Sequence, residues 1–91
     1  GFVGVHEKEQ AFTVSAFPNP TNGQVRVHIA DMDGPALLEV VDQQGRRVQT
    51  RFVELTGETD LNIDLSDEAQ GLYLVRLFSE GRTAAVRLVR Q

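Results

Sequence analysis

Asp60-Leu61-Asn62-Ile63-Asp64-Leu65 is the cleanest alternation in the chain. Leu61, Ile63 and Leu65 fall on one face of an extended strand, and Asp60, Asn62 and Asp64 on the other. A slip of one residue would carry two carboxylates and an amide into the core, so the inside of this strand is strongly specified. The neighbouring residues repeat the pattern in both directions, as short runs of period two separated by turn residues every 8–12 positions.

Toward the N-terminus, Thr56-Gly57-Glu58 reads as a turn. The run before it, residues 46–55, places Val48 and Phe52 in the core. Asp42-Gln43-Gln44-Gly45 reads as a tight hairpin: Asp42 can bond its own backbone two residues on, and Gly45 supplies the left-handed position of a bulged turn. Residues 36–41 point Leu38 and Val40 inward and Glu39 outward. Asp31-Met32-Asp33-Gly34-Pro35 turns the chain again. Residues 24–29 alternate Val25, Val27 and Ile29 inward with Arg26 and His28 outward. Before them, Pro18-Asn19-Pro20-Thr21-Asn22-Gly23 stops a first run at residues 12–17, whose Phe12 and Val14 share a face. The two prolines remove two N–H donors, and Asn22-Gly23 offers positive φ cheaply.

Toward the C-terminus, Ser66-Asp67-Glu68-Ala69-Gln70-Gly71 has helical character for about one turn, with Ser66 as its cap and Gly71 as its end. Residues 72–78 then point Tyr73, Val75 and Leu77 inward. Ser79-Glu80-Gly81-Arg82 is a hairpin turn, and residues 83–89 form a seventh run. About seven short strands and no helix long enough for a crossover predict an all-β protein, an immunoglobulin-like antiparallel sandwich. Residues 1–11 show no sustained period and read as a linker or arm. Residues 12–91 form one domain, since 91 residues allow a single small core.

Hydrophobic residues make up 41% and charged residues 24%, with no Cys. That excludes a disulfide framework, thiol catalysis and thiolate metal sites. No apolar run approaches the roughly 20 residues of a membrane-spanning helix. Gly1 follows no Met and no apolar signal segment, so the chain is expected to be a piece of something longer. The formal charge is −4 and unevenly placed. Residues 1–75 carry 5 basic and 12 acidic side chains, net −7, whereas Arg76, Arg82, Arg87 and Arg90 against Glu80 give residues 76–91 a net +3. The basic end is either a set of solvated strand faces or an edge presented to an acidic partner.

Chemistry is sparse. His6 lies in the arm and His28 on an outer face, and no nucleophile elbow, phosphate loop or paired-His motif occurs. An enzyme is not expected. Asp31-Met32-Asp33-Gly34 resembles the start of a calcium loop, but its glycine comes two positions early and no glutamate closes twelve residues. Asp60, Asn62 and Asp64 could offer oxygen ligands, although an outward strand face needs polar residues anyway. No metal or cofactor is assigned. Sugar platforms use exposed Trp or Tyr; here there is no Trp, Tyr73 faces inward, and the five Phe are assigned to core or arm. Arg46, Arg47 and Arg51 lack aromatic interleaving and read as edge-strand charges, so nucleic acid is not expected as a partner. Proline spoils Asn19-Pro20-Thr21 as a glycosylation acceptor.

Phe17-Pro18-Asn19-Pro20-Thr21-Asn22-Gly23 resembles the Y-P-N-P-T-x-G opening of the C-terminal sorting domains of the type IX secretion system. The strand before Asp42, the Asp42-to-Gly45 hairpin and the return through Arg46-Arg47-Val48 are similar to that family's strand and D-x-x-G turn. Leu61-Asn62-Ile63-Asp64-Leu65-Ser66 followed by Gly71-Leu72-Tyr73-Leu74-Val75 resembles its L-D-L-S and G-x-Y-x-V segments. Arg87-Leu88-Val89-Arg90-Gln91 is similar to its basic terminus, and Val3-Gly4-Val5-His6-Glu7 to its lead-in. Phe17 departs from the usual Tyr, and Arg46, Arg87 and Arg90 stand where Lys is common.

The resemblance implies an address and no chemistry. A cargo protein on the N-terminal side would be carried through the periplasm and recognised by the outer-membrane translocon. A sortase-like peptidase would cut in or before the arm, and the cargo would join anionic lipopolysaccharide at the cell surface or be released. On this reading Arg82, Arg87 and Arg90 carry the recognised charge. Pro18, Asn19, Pro20 and Gly23 shape a turn, Asp42 and Gly45 a hairpin, and Gly71 and Tyr73 a tight backbone position and a core aromatic. A carbohydrate-binding accessory module and a structural spacer or dimerisation module are the alternatives.

Overall fold

A computed structural model describes residues 13–91, and among these every regular element is a β-strand. The expected arm, Phe12, His6 and the cleavage point lie outside the described residues. The strands are β1 (Thr13–Phe17), β2 (Gln24–Val41), β3 (Arg47–Asp64), β4 (Gly71–Ser79) and β5 (Arg82–Arg90). All pairings between them are antiparallel. β2 is the spine. β3 runs along one of its edges for nearly the whole length, while the other edge takes β1 beside residues 26–30 and β4 beside residues 37–41. β5 pairs with β4.

The strands number five and not seven, because two of the expected turns are bends. Residues 31–35 and 56–58 lie opposite one another in the β2–β3 ladder, with Met32 facing Gly57, Asp33 facing Thr56 and Gly34 facing Leu55. The register slips between Ala30 and Met32, where Asp31 has φ 67°. Gly34 and Gly57 add positive φ at 106° and 88°. One extra residue on one strand makes a bulge, which bends and twists a ladder without reversing it. Asp31 also switches parity. Val25, Val27 and Ile29 are buried before it, and Met32, Ala36, Leu38 and Val40 after it. An 18-residue strand would measure about 60 Å if straight, but the molecule's longest extent is 44 Å. The two long strands therefore curl the sheet on itself, and the core lies in the curl.

That core joins Val25, Val27, Ile29, Leu38, Val40, Leu55, Ile63, Leu65, Val75, Leu77 and Leu88. Leu61 is only partly buried. Burying a Val, Leu or Ile side chain contributes roughly 1.5–3 kcal/mol. Phe52 is a correction: it is 82% exposed. The register slips again where Val40 faces Gln49 and Val41 faces Arg47. Val48 is the extra residue there and packs against the core. Phe52 keeps the outward parity of its strand, opposite Leu37. Phe17 is also exposed, so the assignment of every phenylalanine to core or arm fails. The expected capped turn at residues 66–71 is a second correction. One turn-type bond, from the Glu68 amide to the Leu65 carbonyl, is present. Ser66 does not cap it: its amide and hydroxyl both donate back to the Asp64 carboxylate.

Candidate recognition surface

Three stretches far apart in sequence meet at the end of the molecule away from the bend. The chain leaving β1 crosses at residues 18–22 to the outer edge of β5. There the Asn19 carboxamide donates to the Arg87 carbonyl at 2.9 Å and accepts from the Val89 amide at 3.0 Å. The Thr21 amide donates to the Val89 carbonyl and the Gln91 amide to the Thr21 carbonyl, both at 2.8 Å. Asn19 thus mimics one peptide unit of an added strand, and Thr21 supplies a real one in a parallel bridge to Arg90. Both peptide bonds preceding Pro18 and Pro20 are cis.

Thr21 is buried, and sequence reading missed its role. Its hydroxyl donates to the Gln24 carbonyl at 2.8 Å and accepts from the Gly23 amide at 3.0 Å. Gly23 in turn lies against the end of β3. Its carbonyl accepts from the Leu65 amide at 2.7 Å. A Cβ on Gly23 would lie 2.7 Å from Ser66 Oγ and 3.0 Å from Ser66 Cα, at φ 140°. That proximity leaves no room for a side chain. Arg90 completes the knot by donating to the carbonyls of Leu65 and Ser66, each at 3.0 Å.

The hairpin after β2 lies at the same end. The Asp42 carboxylate accepts from the amides of Gln44 and Arg46 and from Arg46 Nε, all at 2.9 Å. The Gly45 amide closes the turn on the Asp42 carbonyl. Desolvation pushes the Asp42 carboxyl up, but the Arg46 amide, the Arg46 guanidinium and the Gln44 amide outweigh it. The group lies below the usual carboxylate range. The hydrogen bonds from Ser66 depress Asp64 likewise. Gly71 approaches the Gln43 side chain, which a Cβ there would meet at 3.0 Å. Tyr73 is buried beside it and its hydroxyl donates to the Ala69 carbonyl at 2.6 Å. Burial, then the carboxylates of Glu68 and Asp42, push its phenol up.

Arg82, Arg87 and Arg90, expected to carry the charge of a basic edge, all lie on β5 but in different surroundings. Arg90 is committed to the knot. Arg82 starts β5 at the bend end, where its guanidinium lies 3.7 Å from the Met32 sulfur. Arg87 lies between them in sequence, opposite Leu74. It is exposed, and its guanidinium makes no hydrogen bond or ion pair among the described residues. The β5 rise of about 3.4 Å per residue separates Arg82 from Arg87 by roughly 17 Å.

Sequence reading also missed Glu39, expected outward and in fact 6% exposed. It lies on the outer face of β2, covered by Arg76 at 2.8 Å and Arg47 at 3.5 Å. The Arg76 guanidinium also lies 5.6 Å from the Phe78 ring centre. The signal was cross-strand register, since Arg76 faces Glu39 in the β2–β4 ladder. The same logic joins His28 to Asp60, at 2.8 Å across the β2–β3 ladder. Asp60 and Asp64 are therefore engaged with His28 and Ser66, and among the described residues no three His, Cys, Asp or Glu side chains gather as a metal cluster.

Among the described residues the arrangement offers binding surface, and no nucleophile, base and oxyanion donors come together there. The family described as secretion system C-terminal sorting domain matches residues 15–91. No curated protein matches the chain.

Proposed function

The chain belongs to the C-terminal sorting domains of the type IX secretion system, and from that premise we propose that it is the address of a larger exported protein. It takes the cargo on its N-terminal side through the periplasm to the outer-membrane translocon. A sortase-like peptidase then removes it, and the cargo is attached to anionic lipopolysaccharide at the cell surface or released. The domain itself does no chemistry.

The observation that carries this reading is the convergence of the family's motifs on one knot. Asn19, Thr21, Gly23, Ser66 and Arg90 are joined by hydrogen bonds or close backbone approach. A transport machine that handles many cargoes needs a constant shape, and such a knot holds the last strand in a fixed position. Of the three arginines, Arg87 and Arg82 keep exposed charge for a reader, while Arg90 serves the shape. Counted as two segments either side of the bend, β2 and β3 give four, which with β1, β4 and β5 makes seven segments from five strands. That count and the tyrosine-corner bond from Tyr73 to the Ala69 carbonyl support an immunoglobulin-like sandwich.

The test fuses residues 1–91 to a folded reporter in a host that exports its own proteins by this route. Deleting β5 would remove Leu88 from the core, so point variants are preferable. The expected result is a reporter outside the cell with the intact domain, and less of it with Arg87→Glu. Retention of the intact fusion while the host's own substrates leave would sink the reading.

A further inference from the structure

The last strand is only half sealed. β5 is the terminal strand of its sheet. Even-numbered residues turn their backbone groups toward β4, and odd-numbered ones turn outward. Asn19 and Thr21 take the Arg87 carbonyl, the Val89 amide and carbonyl and the Gln91 amide. Thr83 and Ala85 have the same parity, and among the described residues nothing pairs with their outward amides and carbonyls.

This open stretch lacks the devices that normally guard an edge. Residues 83–86 are Thr, Ala, Ala and Val, with no charge, proline, glycine or bulge. The other long edge, on β3, contrasts with it. It carries Arg47, Arg51, Glu54, Glu58, Asp60 and Asp64, and bends at Gly57. The two ends of the open stretch on β5 are cationic, with Arg82 at one and at the other Arg87, whose guanidinium has no partner among the described residues. Beside Thr83 a groove of about 710 Å³ runs between Phe78 and Phe52 over Leu37.

We propose that residues 83–87 are a strand-addition site, filled by an extended segment of a partner protein that brings a carboxylate to Arg87. The partner's backbone continues the ladder that Asn19 begins, and small side chains at Ala84 and Ala85 leave its flanking residues room. Main-chain pairing supplies affinity and Arg87 supplies choice of segment. The proposal rests on the sorting reading and names the surface through which the machinery reads the domain.

Ala85→Pro tests it. The substitution removes an N–H that nothing among the described residues accepts, and edge strands tolerate proline at such positions. The variant is expected to melt within a few degrees of wild type while export of the fused reporter falls at least tenfold. Ala84→Pro, which removes an N–H facing β4, is expected to unfold the hairpin and calibrates the loss due to misfolding. Wild-type export from a folded Ala85→Pro variant overturns the proposal. If Ala85→Pro melts far below wild type, Ala85→Asp decides the question by the same readouts, because its carboxylate opposes the partner's; undiminished export again overturns the site. In the free domain the Thr83 and Ala85 amides are expected to exchange hydrogen like an unstructured chain, and their protection would also overturn it. A concentration-dependent dimer abolished by Ala85→Pro would make the occupant a second copy and defeat the partner assignment. Failure of the wild-type fusion to leave the cell counts against the sorting reading instead.

Discussion

The Gln49 carboxamide donates a 2.7 Å hydrogen bond to the Asp64 carbonyl, fifteen residues further along the same strand. In a straight strand those residues would be about 50 Å apart. β3 is therefore folded back so that its two ends meet, and Gln49 ties the first end to the last. Gln49→Ala removes this tie from an exposed site where water can replace it. A loss of about 1 kcal/mol is expected, read as a lower midpoint in urea unfolding with an unchanged slope.

Gly23→Ala forces a methyl group onto the Ser66 backbone at a φ that side chains rarely adopt. It is expected to cost at least about 2 kcal/mol, or roughly 8 °C or more in melting temperature for a domain this small. Gly45→Ala meets open space instead, so only the left-handed backbone penalty at φ 86°, about 1 kcal/mol, is expected there. Scanning calorimetry of both variants gives the order; equal losses would refute the close-approach argument.

Asn19→Ala unties both hydrogen bonds that bind the proline turn to β5. A loss of about 1–2 kcal/mol is expected, with faster hydrogen exchange at the Val89 amide. Asn19→Asp can still accept from Val89 but sets a carboxylate against the Arg87 carbonyl. It is expected to be no better than alanine.

Phe52→Ala removes a ring that is almost wholly in water, so a change within about 0.5 kcal/mol is expected. Leu38→Ala, with its side chain fully enclosed, is expected to lose about 2–5 kcal/mol. Chemical denaturation distinguishes the two, and a large loss at Phe52 would reverse the parity assigned to β3.

Folding depresses the carboxyls of Asp42 and Asp64. The unfolded chain therefore binds protons first as pH falls. The stabilisation from both groups is present in full above the ordinary carboxylate value of about 4 and is lost as pH falls through their lower folded values. Thermal melts from pH 6 to pH 2 are expected to drop most steeply below pH 4. Asp42→Asn is expected to flatten that limb, and an unchanged limb would remove Asp42 as a contributor.

Much was legible without coordinates. Asp60-Leu61-Asn62-Ile63-Asp64-Leu65 shows its parity in six letters, because a half-buried strand must alternate. The segment from Asp42 to Gly45 shows its hairpin, because Asp and Gly are the residues that tight turn demands. The proline turn and the glycine after it could be named from residue type alone. Their contacts could not be: Asn19 and Val89 are 70 positions apart, and no local rule links a turn to the strand it will touch.

Sequence alone determined an antiparallel β domain, the inward face of most of its strands and the ordered motifs of its family. Tertiary structure decided that Asp31 and Gly57 bend two long strands where the same letters promised reversals. It also turned Phe52 out, enclosed Glu39 and divided three arginines between structural and exposed roles. The reason is physical. Alternation and turn chemistry are properties of a few consecutive residues, whereas a bulge, a buried ion pair or an open edge exists only in relation to the strand beside it.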